Sequence, residues 1–141
     1  MIEPPHIAVA WSSLFLGLFS IATALGELRN PGMWRKMMQE LEASPAQQIT
    51  LGLVELALGV FIYAATGPWG GGDWLALVMK IAAALMVLEA LIVCAFADRW
   101  MHFWVRRLGS DWRGWAVIAL LIGLWLTFAA LYRFYLTTPI Y

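Results

Sequence analysis

Long apolar runs almost free of charge constrain this chain more than any other feature. Residues 7–25 and 117–132 carry no charged side chain. Residues 46–66 carry only Glu55, and residues 75–96 carry only Lys80 and Glu89. A helix that crosses the hydrocarbon core of a bilayer needs about 20 apolar residues. Four such runs in a chain of 141 residues leave little else to fold. The runs are continuous rather than alternating, which excludes spanning strands, since those must close into a larger barrel. Composition agrees: 13% of the residues are charged, against about a quarter in soluble domains.

The expected fold is therefore all-α, a polytopic membrane protein forming one transmembrane domain over residues 1–141. Spans are predicted at about 7–28, 46–66, 73–96 and 112–136. No Lys or Arg precedes the first run, and that run is longer than a signal-peptide core, so it reads as a retained helix. Net charge is zero, which removes the basic excess a nucleic-acid binder needs. A single cysteine, Cys94, excludes an intrachain disulfide, a cysteine-built zinc site and an iron–sulfur cluster. Cys94 reads as packing. No Walker motif, GxGxxG or HExxH spacing is present, so neither a catalytic residue nor a metal site is predicted.

The connections differ. Residues 67–72, GPWGGG, read as a tight turn. Residues 31–43 read as an amphipathic surface helix. Asn30 can cap it, Pro31 suits its first position, and Trp34, Met37, Met38 and Leu41 recur at helical spacing. Residues 98–109 repeat the theme. Trp100, Met101, Trp104 and Leu108 oppose Arg99, His102 and Arg106, with Gly109 as a cap. No proline separates this piece from the third span, so that helix is free to continue and bend at the surface. A shift of 70 residues lays Arg29 on Arg99, Trp34 on Trp104 and Lys36 on Arg106, and brings Gly52 within one place of Gly123. The order span, surface helix, span thus occurs twice, suggesting two pseudo-repeated halves that pack along a central seam.

Basic residues orient the chain. Arg29, Arg35, Lys36, Arg99, Arg106, Arg107 and Arg113 all fall at one end of the spans. This predicts a bacterial inner membrane protein with both termini periplasmic and both surface helices cytoplasmic. Trp34, Trp100, Trp104, Trp112 and Trp115, with Arg106 and Arg107, would mark the cytoplasmic interface, where the basic pair favours anionic lipid. Trp11, Trp69, Trp74, Tyr135 and Tyr141 would mark the other.

Ionisable residues at membrane depth cost about 2.5–3.5 kcal/mol each on insertion scales and are the first place to look for function. Glu55 and Glu89 fall roughly 14 and 10 Å from the same surface, at 1.5 Å per helical residue. Two carboxyls there could share a proton. Gly52 and Gly59 flank Glu55 on one helix face, so a neighbouring helix can approach closely and Glu55 should point into the bundle. Glu27 would stand at the mouth of such a site. Lys80, half a turn away from Glu89 round the helix, would snorkel outwards. The competing reading is that the acids only hold helices together. His6 and His102, both near interfaces and on opposite sides, do not suit a bis-histidine haem.

The stretch Gly52-Leu-Val-Glu55-Leu-Ala-Leu-Gly59, after an amphipathic connection, resembles the second span of DoxX-like membrane proteins. That resemblance implies a small four-helix protein and, for some members, a link to quinone redox systems. The order Ser44-Pro45-Ala46, Gly52, Gly59, Trp69, Asp73-Trp74 also resembles small bacterial four-span proteins of unknown function. The expected role is non-enzymatic: an accessory, assembly or stabilising subunit of a larger inner-membrane complex, with an energy-converting complex among the candidates. The alternatives are a small proton-coupled transporter using Glu55 and Glu89, or a DoxX-like quinone-linked redox subunit. Expected partners are the lipid bilayer and other membrane subunits or a second copy. No cofactor is predicted; lipid is the expected ligand, with a quinone or pigment as the alternative.

Overall fold

The computed structural model describes residues 4–67, 72–108 and 112–137. It is all-α: α1 (Pro4–Arg29), α2 (Met33–Glu42), α3 (Pro45–Ala65), α4 (Trp74–Leu108) and α5 (Trp112–Thr137). Four of the five, α2 excepted, are long and apolar enough to cross a membrane. Their outward surfaces are apolar, with Phe15, Phe61, Leu85 and Phe128 among the exposed side chains. A water-soluble bundle would bury such residues; here the hydrocarbon of the bilayer is their solvent.

The spans associate as two tight pairs, α1 with α5 and α3 with α4. The first span thus pairs with the last, and the middle two pair with each other. The N- and C-terminal halves of the chain are interleaved, each giving one span to each pair, instead of meeting as separate bodies along a seam. Val9, Leu75, Met79, Ala83, Leu126 and Ala129 form a small core between the pairs.

Local chemistry sets the helix ends. Ser44 caps α3 by accepting the Gln47 N–H, with Pro45 at the first position. Asp73 caps α4 by accepting the Leu75 N–H at 3.1 Å. At α2 the sequence expectation needs correction. The helix starts at Met33, two residues after Pro31, and Asn30 supplies only a backbone carbonyl to the Met33 N–H. The reason is Gly32, whose φ of 94° turns the chain in a conformation that side chains disfavour.

The second surface segment is the end of α4. Phe96, at φ −135° and ψ 41°, breaks the helical geometry, and the helix resumes in a new direction to Leu108. The 98–109 helix is therefore the outer arm of an elbow. Gly109, Trp69 and Tyr141 lie outside the described residues, as does most of the GPWGGG turn.

Candidate functional site

Between α3 and α4 the packing is built on small residues. Gly52 lies against Val93 and Cys94 of α4, and Gly59 against Ala83, Met86 and Val87. A side chain larger than a methyl on either glycine would press into these neighbours. The close approach of the helices brings Glu55, on the same face of α3, alongside Glu89 of α4, near enough for the two carboxyls to interact. Glu55 is half-buried, whereas Glu89 is exposed on the outer surface of α4. The pair therefore sits at the lipid-facing edge of the α3–α4 interface, with only Glu55 turned partly inward. The elbow adds a third member: the Trp100 indole N–H donates to Glu89 at 3.4 Å. In a straight helix these residues, eleven apart, would lie about 16 Å from one another. The bend at Phe96 brings them into contact.

Glu27 has a different setting. It is 2% exposed, and its two carboxylate oxygens accept the backbone N–H groups of Gly32, at 3.0 Å, and Trp34, at 2.8 Å. These are orphan donors at the start of α2, where a negative charge also meets the positive end of the helix dipole. Glu27 is the cap of α2. Trp34 locks the same corner by donating its indole N–H to the Thr23 carbonyl at 3.2 Å. At the other end of α2, buried Gln48 donates its side-chain amide to the Leu41 and Glu42 carbonyls. His102 of the elbow meets Glu42 at 3.0 Å.

Lys80 is 5% exposed, so it does not snorkel freely to water. Its ammonium donates to the Tyr63 carbonyl at 3.2 Å and to the Gly67 carbonyl, and lies 4.0 Å from the centre of the Tyr63 ring. A cation is favourable there because α3 ends at Ala65 and leaves its last carbonyls unpaired. Nearby, Asp73 accepts two hydrogen bonds from the Arg133 guanidinium, one at 2.7 Å. This bidentate pair ties α5 to the start of α4, and the tilted Trp74–Trp125 ring pair supports it at 5.6 Å.

The tryptophans divide. Trp11, Trp74 and Trp115 are exposed, as membrane anchors would be. Trp112 is 6% exposed and belongs to the interior instead. Trp100, Phe103 and Trp104 form one aromatic cluster on the elbow. Arg106 and Arg107 are exposed there. Cys94 packs with its sulfur over Gly52. Among the described residues no three His, Cys, Asp or Glu side chains gather as a metal site would require.

Four participants were not singled out from sequence: Gly17, Gln48, Arg133 and the pairing role of Gly123. Gly17 and Gly123 form the α1–α5 crossing, where backbone meets backbone. Ser20 reinforces it by donating to the Ala119 carbonyl at 2.7 Å. Gly17 and Gly123 each carry a hint, as lone glycines in apolar runs. With this geometry in hand, the chain was compared with family models, curated proteins and solved structures, and none of them matches it.

Proposed function

We propose that this chain is a non-enzymatic subunit of a larger membrane assembly, and that its partner covers the face carrying Glu55 and Glu89. One observation carries the reading: Glu89 is exposed at membrane depth beside a second carboxyl. Left against lipid, such a group costs about 2.5–3.5 kcal/mol. A neighbouring helix with a hydrogen-bond donor removes that cost.

The membrane is proposed to be a bacterial inner membrane, with both termini periplasmic. The bias of Arg and Lys towards one end supports this. Lys80 and Arg133, the exceptions, are held within the protein by the Tyr63 carbonyl and the Asp73 carboxylate. Pairing of α1 with α5 and of α3 with α4 is what a two-fold relation between repeated halves would produce, and supports the internal repeat. The DoxX-like resemblance makes a quinone-linked assembly the first to look for.

The test is gentle extraction followed by intact-complex mass and an absorption spectrum, with a photocrosslinker at Leu85 on the carboxyl-bearing helix. The expected result is a larger assembly and a protein crosslink from Leu85. A monomer whose Leu85 crosslinks only to lipid overturns the reading.

A second reading, proton-coupled transport, is favoured by the mutual reach of the two carboxyls, since such a pair can share one proton. Glu55→Gln discriminates. It abolishes coupled proton movement in a transporter and leaves assembly intact, whereas a purely associative pair shows no flux to abolish.

A further inference from the structure

The elbow of α4 opens a groove on the outside of the molecule. Ile92 and Phe96 line it from the spanning arm; Arg99, Trp100 and Phe103 line it from the surface arm. Its volume of about 330 Å³ lies at the small end of the usual range for ligand sites, roughly 300–1,000 Å³.

We propose that this groove holds one anionic phospholipid, with its phosphate on Arg99 and an acyl chain along Ile92, Phe96 and Phe103. The site straddles the boundary between hydrocarbon and headgroups. One wall belongs to the membrane-crossing arm, the other to the arm that leaves it. The groove wall is almost wholly apolar and Arg99 is its one charged residue, so an occupant suited to it is apolar along the wall and accepts hydrogen bonds from the guanidinium beyond it. The Arg99 side chain is exposed and makes no hydrogen bond or ion pair among the described residues. Arg106 follows seven residues later, two helical turns on and on the same face. Arg107 comes in beside them, 5.8 Å from the centre of the Phe103 ring. A guanidinium suits phosphate because its planar donors match the oxygens in pairs.

Two acids are near. Glu89 lies ten residues before Arg99 and is engaged by the Trp100 N–H. Asp98 projects about 100° round the helix from Arg99. Arg99 lines the groove itself, and with Arg106 and Arg107 on the same arm the local balance is three cations against these two acids. The choice of an anionic over a zwitterionic lipid follows from that balance.

The test is native mass spectrometry of the detergent-solubilised full chain, titrated with phosphatidylglycerol and with phosphatidylcholine of the same chains. Preferential retention of phosphatidylglycerol is expected. Arg99→Gln should lower that retention roughly fivefold, the effect of one basic residue at a lipid surface. Arg113→Gln, an exposed charge on α5, should leave it unchanged. Phe103→Ala should weaken both lipids alike. Equal retention of the two lipids by the unaltered protein overturns the proposal. So does an equal loss in the Arg99 and Arg113 variants, which would mean diffuse surface charge. Displacement of the lipid by inorganic phosphate would also overturn it, by showing a free-anion site.

Discussion

The two helix pairs solve the same problem by different means. Between α1 and α5 the backbones touch. A Cβ placed on Gly123 would fall 2.8 Å from the Gly17 carbonyl and 2.9 Å from the Ile21 nitrogen. Between α3 and α4 the glycines accept mostly side chains: Cys94 and Val93 at Gly52, Val87 and Met86 at Gly59. The first pair has no acid facing its partner inside the membrane, while the second carries Glu55 and Glu89. A clasp built on backbone contact has no room for variation. An interface padded by side chains can hold polar groups and adjust around them. In lipid, where apolar surface gives no drive to associate, such packing and the few polar ties decide which helices stay together.

The tie between the pairs should be the most sensitive point. Asp73 and Arg133 join α4 to α5 and are mostly shielded, with side chains 9% and 19% exposed. Removing one member of such a buried pair leaves the other charge uncompensated. Arg133→Met should cost about 3 kcal/mol, and Asp73→Asn added to it should recover part of the loss. Denaturant titration in detergent micelles reads both. If the single variant is as stable as the parent, the pairs are held together by something other than this contact.

Next in size is the clasp itself. Gly123→Ala pushes a methyl into backbone atoms that cannot rotate away, and overpacking of that kind typically costs about 1–3 kcal/mol. The loss should appear as weakened α1–α5 association, measured by disulfide trapping between cysteines placed at either side of the crossing in a Cys94→Ala background. A neutral result would mean that the two helices are not in backbone contact.

The four spans were legible because a helix in lipid must be apolar over its whole length, and that signal is local. So was the common depth of Glu55 and Glu89, which is arithmetic along two helices. Which spans pair was not legible, since Gly17 and Gly123 are more than a hundred residues apart and neither marks its partner. Glu27 shows another limit. Its position suggested a mouth to the carboxyl site, but its donors are Gly32 and Trp34, reached only because Gly32 turns the chain back on α1. Asp73 and Arg133 could each have been read as an ordinary charge near a membrane surface. Only the proximity of α5 to the start of α4 makes them a pair.

That cap supplies a smaller effect within the α1 side of the molecule. Glu27→Gln keeps the shape but removes the charge and one of the two acceptor oxygens. A lost cap typically costs about 1 kcal/mol. The change should loosen α2 without separating the spans, visible as faster amide exchange at residues 33–36 and unchanged exchange in α5. Equal protection in both proteins would mean that Trp34 and Gln48 hold the surface helix unaided.

The smallest effect sharpens the contrast between the interfaces. At Gly52 a new methyl would meet the Cys94 sulfur at 3.0 Å and nothing else closer than 3.5 Å. The sulfur ends a short side chain that can turn towards lipid, so Gly52→Ala should cost no more than about 0.5 kcal/mol, within the range of substitutions that strain nothing. Gly59 is tighter: Val87 at 2.9 Å is a side chain, but the Ala83 carbonyl at 3.1 Å is backbone. Gly59→Ala should therefore fall between Gly52→Ala and Gly123→Ala. The order of the three in one denaturation assay tests the distinction directly, because each adds the same single methyl to a membrane helix. If Gly52→Ala proved as damaging as Gly123→Ala, the α3–α4 interface would be as rigid as the clasp. The carboxyl pair would then be held in place by its own helices, with no need of a yielding surface around it.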